Sequence, residues 1–340
     1  MRPSDLAKRA GDLWARRVRP ALAGFEWRRH PSLVSLSILV VLVVVNAILQ
    51  RGFFRPYVLS SNFRTFLPLV LVAIGQTYVI LGGGIDLSIG LIISLVNVVT
   101  VRLITASGGS TPLVLLAMVA GVAVAALAGL VNGVCIAYFR LQPIITTFAT
   151  GAIWAGLALW VMPRPGGEVP AWYYRAYAGG LVWIPTTLWV VAAVGVACRL
   201  VKRTPFYGHL LAAGGNAAGA FESGVRVPRV RMTSYVVAGV CAGLATLCIV
   251  GETASGDPLL GGAYTLNSIS AVVLGGTALA GGYGGVLGSV FGALILGLTN
   301  NVIFFAQVDT VYQKLLQGII VLFALAVGGL ITRRRRRHAD

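Results

Sequence analysis

Long apolar segments constrain this sequence more than any other feature. Residues 33–49 and 112–139 are two of them, and a helix needs roughly 20 such residues to cross about 30 Å of hydrocarbon. In lipid, the backbone finds hydrogen-bond partners only within its own segment, so these stretches span as helices. The sequence is 57% hydrophobic and 11% charged, which leaves too few polar side chains for a soluble surface. The predicted fold class is an all-α polytopic membrane protein.

Hydropathy over windows of about 19 residues predicts about ten transmembrane helices. They lie near residues 33–50, 66–82, 87–105, 112–139, 143–162, 180–200, 233–250, 265–280, 286–306 and 312–331. Glycines interrupt the pattern near residues 82 and 276. Corresponding interruptions of this kind indicate two pseudo-repeated halves.

The net charge of +17 comes from basic clusters in the first 29 residues, in 199–231 and in 333–337. Such clusters beside apolar runs are typical of cytoplasmic anchors, and no aromatic interleaving or folded basic face favours nucleic acid. We therefore expect a basic cytoplasmic extension over 1–32, and we expect the apolar run that follows it to serve as an uncleaved signal anchor. A transmembrane domain over 33–331 follows, with a cytoplasmic loop at about 201–232 and a basic cytoplasmic tail over 332–340.

Catalytic and metal-binding patterns are missing from the sequence. The four cysteines and three histidines form no ligand-spaced cluster, so no metal site is predicted. No lysine stands in a Gly-Lys-Ser/Thr sequence, which a P-loop needs. The sequence therefore predicts no catalytic residue and no cofactor in this chain, and any ATP chemistry belongs to a partner.

The stretch GGGIDLSIG, residues 82–90, predicts a non-helical turn between two spans. Asp86 and Ser88 stand where a new helix presents free amide groups, so both are candidate helix caps, preceded by Gly83 and Gly84. Placing a carboxylate near the membrane also costs free energy, and this cost favours a role in gating. The two roles are compatible.

Glycines spaced four residues apart predict close helix packing. Gly284, Gly288 and Gly292 form one such series on a single helical face, and Gly129 and Gly133 form a shorter one. Small residues at this spacing allow two backbones to approach.

Residues 204–232 are too polar to span and too few for a catalytic domain. A short helix is predicted in the middle, with Gly214, Gly215 and Asn216 before it and Gly224 after it. Two interpretations stay open from the residues alone: an ordinary connecting loop, or a helix that transmits a push from a soluble partner.

Polar side chains inside the apolar spans are the candidates for a translocation path, with hydrogen bonding between helices as the alternative. They are Gln76, Asn97, Asn132, Thr147, Trp154, Asn267 and Asn300. The outer segments 163–180 and 251–265 are either simple loops or a surface that receives a delivery protein, anchored by Tyr173 and Tyr174.

Four stretches occur in an order that resembles the ABC permeases for ribose, xylose, arabinose and galactosides. They are GGGIDLSIG from 82, LQPIITTFATG from 141, GGNAAGAFESGVRV from 214 and the glycine-rich stretch 266–301. The resemblance implies an importer in which two permease subunits, the same or related, sit on ATPase subunits that bind ATP and Mg. A periplasmic or extracellular binding protein would deliver the sugar, and the chain would lie in the bacterial inner membrane.

The resemblance also implies that the short helix couples the permease to the ATPase. The residues it assigns to coupling are Gly214, Gly215, Asn216, Ala217, Ala220, Glu222, Ser223 and Gly224. Phe221 and Glu222 depart from the family's usual residues before the final Ser-Gly. Other solutes, such as an autoinducer furanose or a nucleoside, and a secondary carrier remain alternatives.

Overall fold

The computed structural model describes residues 32–181 and 184–309, with residues 311–313, 315, 316, 318, 319 and 322 beyond them. Its helices are α1 Ser32–Leu49, α2 Pro56–Leu81, α3 Ile89–Ala106, α4 Thr111–Ala137, α5 Pro143–Val161, α6 Ala171–Ala178, α7 Thr186–Arg203, α8 Pro205–Gly215, α9 Ala217–Glu222, α10 Val227–Thr253, α11 Gly262–Leu274 and α12 Val286–Phe305. Two short antiparallel strands, β1 Gly180–Leu181 and β2 Ile184–Pro185, join α6 to α7.

Six of these helices are long and apolar enough to cross a membrane: α2, α3, α4, α5, α10 and α12. The chain is therefore a mainly helical, multi-pass membrane protein. The apolar stretch Leu33–Leu49 of α1 and the helix α11 are shorter, and α7 carries Arg199, Lys202 and Arg203 in its last turns. The predicted span 312–331 is described only at scattered positions, and the predicted extension 1–32 and tail 332–340 lie outside the described residues, except for Ser32.

Helices α4 and α10 pack with their backbones in contact. A Cβ added to Gly129 would overlap the carbonyl oxygen of Tyr235, and one added to Gly239 would overlap that of Ala125. A Cβ at Gly133 would lie 2.8 Å from the carbonyl oxygen of Met232. The predicted packing role of Gly129 and Gly133 is confirmed, since only residues without a side chain allow this approach.

Helices α11 and α12 pack in the same way. Added Cβ atoms at Gly288 and Gly292 would overlap the carbonyl oxygens of Gly275 and Ala271. Gly284 is different, because it precedes α12 in a loop and has a φ of +128°. The prediction that all three glycines share one helical face is wrong for Gly284, where the loop needs a conformation that other residues rarely adopt.

The breaks after α2 and after α11 have the same hydrogen-bond pattern. Gly83 donates to the carbonyl of Ile80 at 2.9 Å, and Gly84 donates to that of Val79 at 3.0 Å. After α11, Gly276 donates to Val273 at 2.9 Å and Thr277 to Val272 at 3.2 Å. Gly83 and Gly276 have φ values of +79° and +82°. Both helices thus end in a Schellman motif with glycine in the left-handed conformation.

The end of the bundle that carries α6 is closed by packed loops. Tyr173 is buried, and its hydroxyl donates to the carbonyl of Leu247 at 2.7 Å. Gly166 and Gly256 exchange two backbone hydrogen bonds, which joins the two outer segments. Tyr173 therefore faces α10, and this burial removes it from the alternative in which Tyr173 and Tyr174 anchor a delivery protein.

Candidate functional site

At the opposite end of the bundle, α8 and α9 form a helical hairpin around Asn216. The Asn216 backbone is extended, with a φ of −150°, and its Oδ1 accepts a hydrogen bond from the Gly219 amide at 3.0 Å. Gly224 closes α9 with a φ of +84°, and its amide donates to the Phe221 carbonyl at 2.9 Å. The predicted short helix is present, because an N-cap asparagine and a C-terminal glycine satisfy its free backbone groups.

The two faces of α9 differ in exposure. Ala220 is buried against the apolar cluster beneath it, whereas the side chain of Phe221 is 69% exposed. Glu222, Ser223 and Gly224 are also exposed. Exposed large aromatic side chains such as Phe221 are enriched at surfaces that bind another protein.

A cleft of about 620 Å³ lies beside α9 and is lined by the end of α4, the start of α5 and the start of α10. Phe221 and Ala218 form one wall. Arg140 and Arg231 are the charged residues among those that line it. The cleft therefore presents positive charge next to the exposed face of α9.

The turn between α2 and α3 holds a buried polar network around Asp86. Asp86 is fully buried, and its Oδ1 accepts hydrogen bonds from the Ser88 amide at 2.8 Å and the Ser88 hydroxyl at 2.6 Å. Asn132 of α4 donates to Ser88 Oγ at 2.7 Å, and Thr150 of α5 donates to Asn132 Oδ1 at 2.7 Å. Thr147 accepts from the Leu87 amide at 3.0 Å. The turn is thus fixed to α4 and α5.

Asp86 accepts a hydrogen bond from the amide of Ser88, the residue immediately before α3, and so stabilises the turn that leads into the helix. The Ser88 side chain receives no hydrogen bond from a helix amide, because its hydroxyl serves as donor to Asp86 and acceptor from Asn132. The prediction of Ser88 as a capping acceptor is wrong.

Helix α3 begins inside the bundle. Ser88 lies against Gly151, with 3.4 Å from its Cα to a Cβ built there, and Gly151 stands about 12 Å along α5 from Pro143 at the usual helical rise. Non-helical backbone at membrane depth needs protein partners. Asp86 and Thr147 supply them, since they accept hydrogen bonds from the amides of Ser88 and Leu87.

The other predicted path residues lie elsewhere. Asn97 holds the loop after α10, with its Oδ1 accepting from the Asp257 amide at 2.6 Å. Both amide atoms of Gln76 and the indole nitrogen of Trp154 are buried without a hydrogen-bond partner among the described residues. Asn267 is half-buried and Asn300 is exposed. The structure thus groups Asn132 and Thr147 with Asp86 and leaves the others apart.

Three residues near the turn escaped the sequence analysis. Thr150 completes the network, and its only signal was its place in the LQPIITTFATG stretch. Tyr235 places its hydroxyl 2.5 Å from a Cβ built on Gly84, with no hydrogen-bond partner for that hydroxyl in the described chain. An Arg231 nitrogen lies 3.8 Å from a Cβ built on Gly83.

Among the described residues, no group of three His, Cys, Asp or Glu side chains is arranged for a metal ion.

Helices that cross a membrane, a buried polar turn and a protruding helical hairpin define a membrane transport protein. A family model for the branched-chain amino acid transport system / permease component matches residues 58–325. The chain therefore belongs to this permease family. The predicted membership of the sugar-type ABC permeases and the prediction of a transporter subunit rather than an enzyme are both confirmed.

Curated relatives match nearly the whole chain. The ribose import permease of Bacillus subtilis (strain 168) is 34% identical over 84% of this chain and 89% of its own length. The ribose import permease of Escherichia coli (strain K12) is 32% identical over 86% and 92%. The L-arabinose ABC transporter permease of Azospirillum brasilense is 30% identical over 95% and 94%. No solved structure gives a significant match.

Proposed function

We propose that this chain forms the translocation path for a monosaccharide in a binding-protein-dependent ABC importer. The observation that carries the proposal is the match to sugar import permeases along nearly the full length of both chains. The family model's description names amino acid transport, but the relatives described above are sugar permeases, which favours a sugar over other small solutes.

The α8–α9 hairpin is the proposed docking element for an ATPase subunit that binds ATP and Mg. Phe221 and Glu222 protrude from α9, and the cleft beside it presents Arg140 and Arg231. Exposed aromatic residues commonly dominate the free energy of such interfaces. The cationic cleft suits an acidic side chain of the ATPase subunit. Asn216 and Gly224 hold the helix in shape rather than touch the partner.

The same proposal sets the orientation in the membrane. The α8–α9 end carries the basic stretch 199–231 and faces the cytoplasm under the positive-inside rule. The bacterial inner membrane, cytoplasmic termini, ten spans in two pseudo-repeated halves and a second permease subunit complete the proposed arrangement. The matching glycine caps at Gly83 and Gly276 support the repeat. The α6 end then faces the sugar-binding protein.

The Asp86 turn is the proposed gate. It interrupts the membrane-spanning path between α2 and α3, and its network joins α4 and α5. A non-helical segment at membrane depth can rearrange at a smaller cost than a continuous helix, because fewer backbone hydrogen bonds must break.

Reconstitution tests the proposal. The permease, the ATPase and the binding protein are placed in liposomes, and uptake of labelled ribose, allose, arabinose and fructose is measured with and without ATP. ATP-dependent uptake of one sugar that needs the binding protein supports the importer. Uptake driven by an ion gradient without ATP would contradict it and favour a secondary carrier.

A further inference from the structure

Three backbone segments that are far apart in the sequence meet at the base of the α8–α9 hairpin. They are the turn after α2, the end of α8 and the loop between α11 and α12. Gly83, Gly214 and Gly281 are the residues at the point of contact. We propose that this contact, the glycine junction, transmits movement of the α8–α9 hairpin to both interrupted regions of the membrane domain. The inference rests on the proposed importer function.

Contact at the junction is made by backbone atoms. A Cβ built on Gly281 would lie 2.9 Å from Gly83 Cα and 3.0 Å from the carbonyl oxygen of Gly214. One built on Gly214 would overlap the carbonyl oxygen of Leu81 and lie 2.7 Å from the amide nitrogen of Gly282. Since no side chain separates the three segments, a shift of one displaces the others directly.

A hydrogen bond links the two interrupted regions at the same place. The amide of Gly282 donates to the carbonyl of Leu81, the last residue of α2, at 3.0 Å. Helices leave their last carbonyls without partners within the helix. The Gly282 amide supplies such a partner to the Leu81 carbonyl from a different loop. Gly281 and Gly282 both have positive φ, at +88° and +72°, which the loop needs in order to reach Leu81.

The hairpin is attached to this junction by side chains as well. Leu210 of α8 is fully buried, and its Cδ1 lies 3.0 Å from a Cβ built on Gly82. The ring of Phe206 lies 6.5 Å from that of Tyr78 in α2. A displacement of α9 by a bound protein therefore acts on α8, and α8 bears on the turn that leads to Asp86 and on the loop that leads to α12.

The test compares three glycines in the reconstituted complex. Gly214→Ala and Gly281→Ala each place a methyl group in the junction, whereas Gly156→Ala in α5 places one where no atom lies within 4 Å. We expect Gly214→Ala to lower sugar uptake about tenfold or more. Gly281→Ala, which is outside the hairpin, should lower uptake to the same extent with assembly and ATP hydrolysis retained. Gly156→Ala should stay within about twofold of wild type.

A measurement on the wild-type complex covers the case in which a variant does not fold. Amide hydrogen exchange is compared before and after trapping with ATP and orthovanadate. Segments 82–88, 214–224 and 275–285 should change protection together. A change confined to 214–224, or normal uptake by Gly214→Ala, would overturn the junction while leaving the importer intact. Loss of ATP-driven uptake in the wild-type complex would instead overturn the proposed function and the junction with it.

Discussion

The hydroxyl of Thr150 donates to Oδ1 of Asn132 at 2.7 Å, and this bond joins α5 to α4 beside the buried Asp86 turn. Asn132 in turn donates a hydrogen bond to Ser88 Oγ. The hydroxyl of Thr146, one turn earlier on α5, donates to the carbonyl of Gln142, the residue just before that helix, at 2.8 Å. Thr150 therefore makes a hydrogen bond between two helices, whereas Thr146 makes a local one at the start of its own helix.

Thr150→Val tests the bond between helices, because valine has nearly the same shape and no hydroxyl. We expect a loss of about 1 kcal/mol in stability, seen as a lower apparent Tm in lipid nanodiscs. Thr146→Val should change the Tm much less, since the Gln142 carbonyl still accepts a hydrogen bond from the Thr146 amide. Equal effects of the two variants would show that Thr150 contributes nothing beyond its own helix.

Gly129→Ala tests the contact between α4 and α10. The added methyl would overlap the carbonyl oxygen of Tyr235, so the helices must separate, at a cost of about 1–3 kcal/mol or more. We expect a smaller yield of monodisperse protein and a lower Tm. Gly156→Ala is the control, because nothing lies within 4 Å of its Cβ. A Gly129→Ala protein as stable as Gly156→Ala would contradict the packing.

Asn216→Ala removes the cap of α9. Loss of the bond to the Gly219 amide should destabilise this short helix by about 1 kcal/mol and speed amide exchange over residues 217–222. If α9 couples the ATPase to the permease, uptake per ATP hydrolysed should also fall. Asn216→Asp retains an oxygen acceptor and should restore both quantities; failure of Asp to restore them would mean that the amide group has another role.

The sequence predicted the helices well where apolar length was the signal, as in α4 and α5. It placed the short helix at α9 because Asn216 and Gly224 carry local information about helix ends. It extended the span near 265–280 past Leu274, since hydropathy does not register the break after α11. Thirteen residues reach only about 20 Å, so α11 is shorter than the hydrocarbon is thick.

Contacts between distant segments were beyond what one sequence can indicate. Gly83 and Gly214 each suggested a turn or a helix end, and Gly281 lay in a glycine-rich stretch, but nothing in their local patterns shows that they meet. The same holds for Tyr173. Its aromatic side chain suggested an exposed loop, but in the structure its hydroxyl donates to the carbonyl of Leu247. Asp86, Ser88 and Asn132 were singled out as polar residues from the sequence. Only the fold shows that Ser88 bonds to both Asp86 and Asn132, and that Thr150 bonds to Asn132.

Phe221→Ala tests the proposed docking surface without disturbing the fold. Phe221 is 69% exposed on α9, and Phe148, at 70%, is its match on α5. Phe148 lies in a span where lipid covers apolar side chains, whereas Phe221 protrudes from a polar segment. Truncation of an interface aromatic commonly costs about 1–2 kcal/mol, so Phe221→Ala should raise the Kd for the ATPase subunit about tenfold.

Phe148→Ala should leave that Kd unchanged, and neither variant should alter the Tm by more than a few degrees, since the removed rings make few contacts within the chain. Binding is measured with the permease in nanodiscs and the ATPase subunit in solution. Equal affinity for both variants would remove Phe221 from the docking surface. An equal loss for both would place the ATPase contact on the wider membrane domain, because Phe148 would then contribute as much as α9.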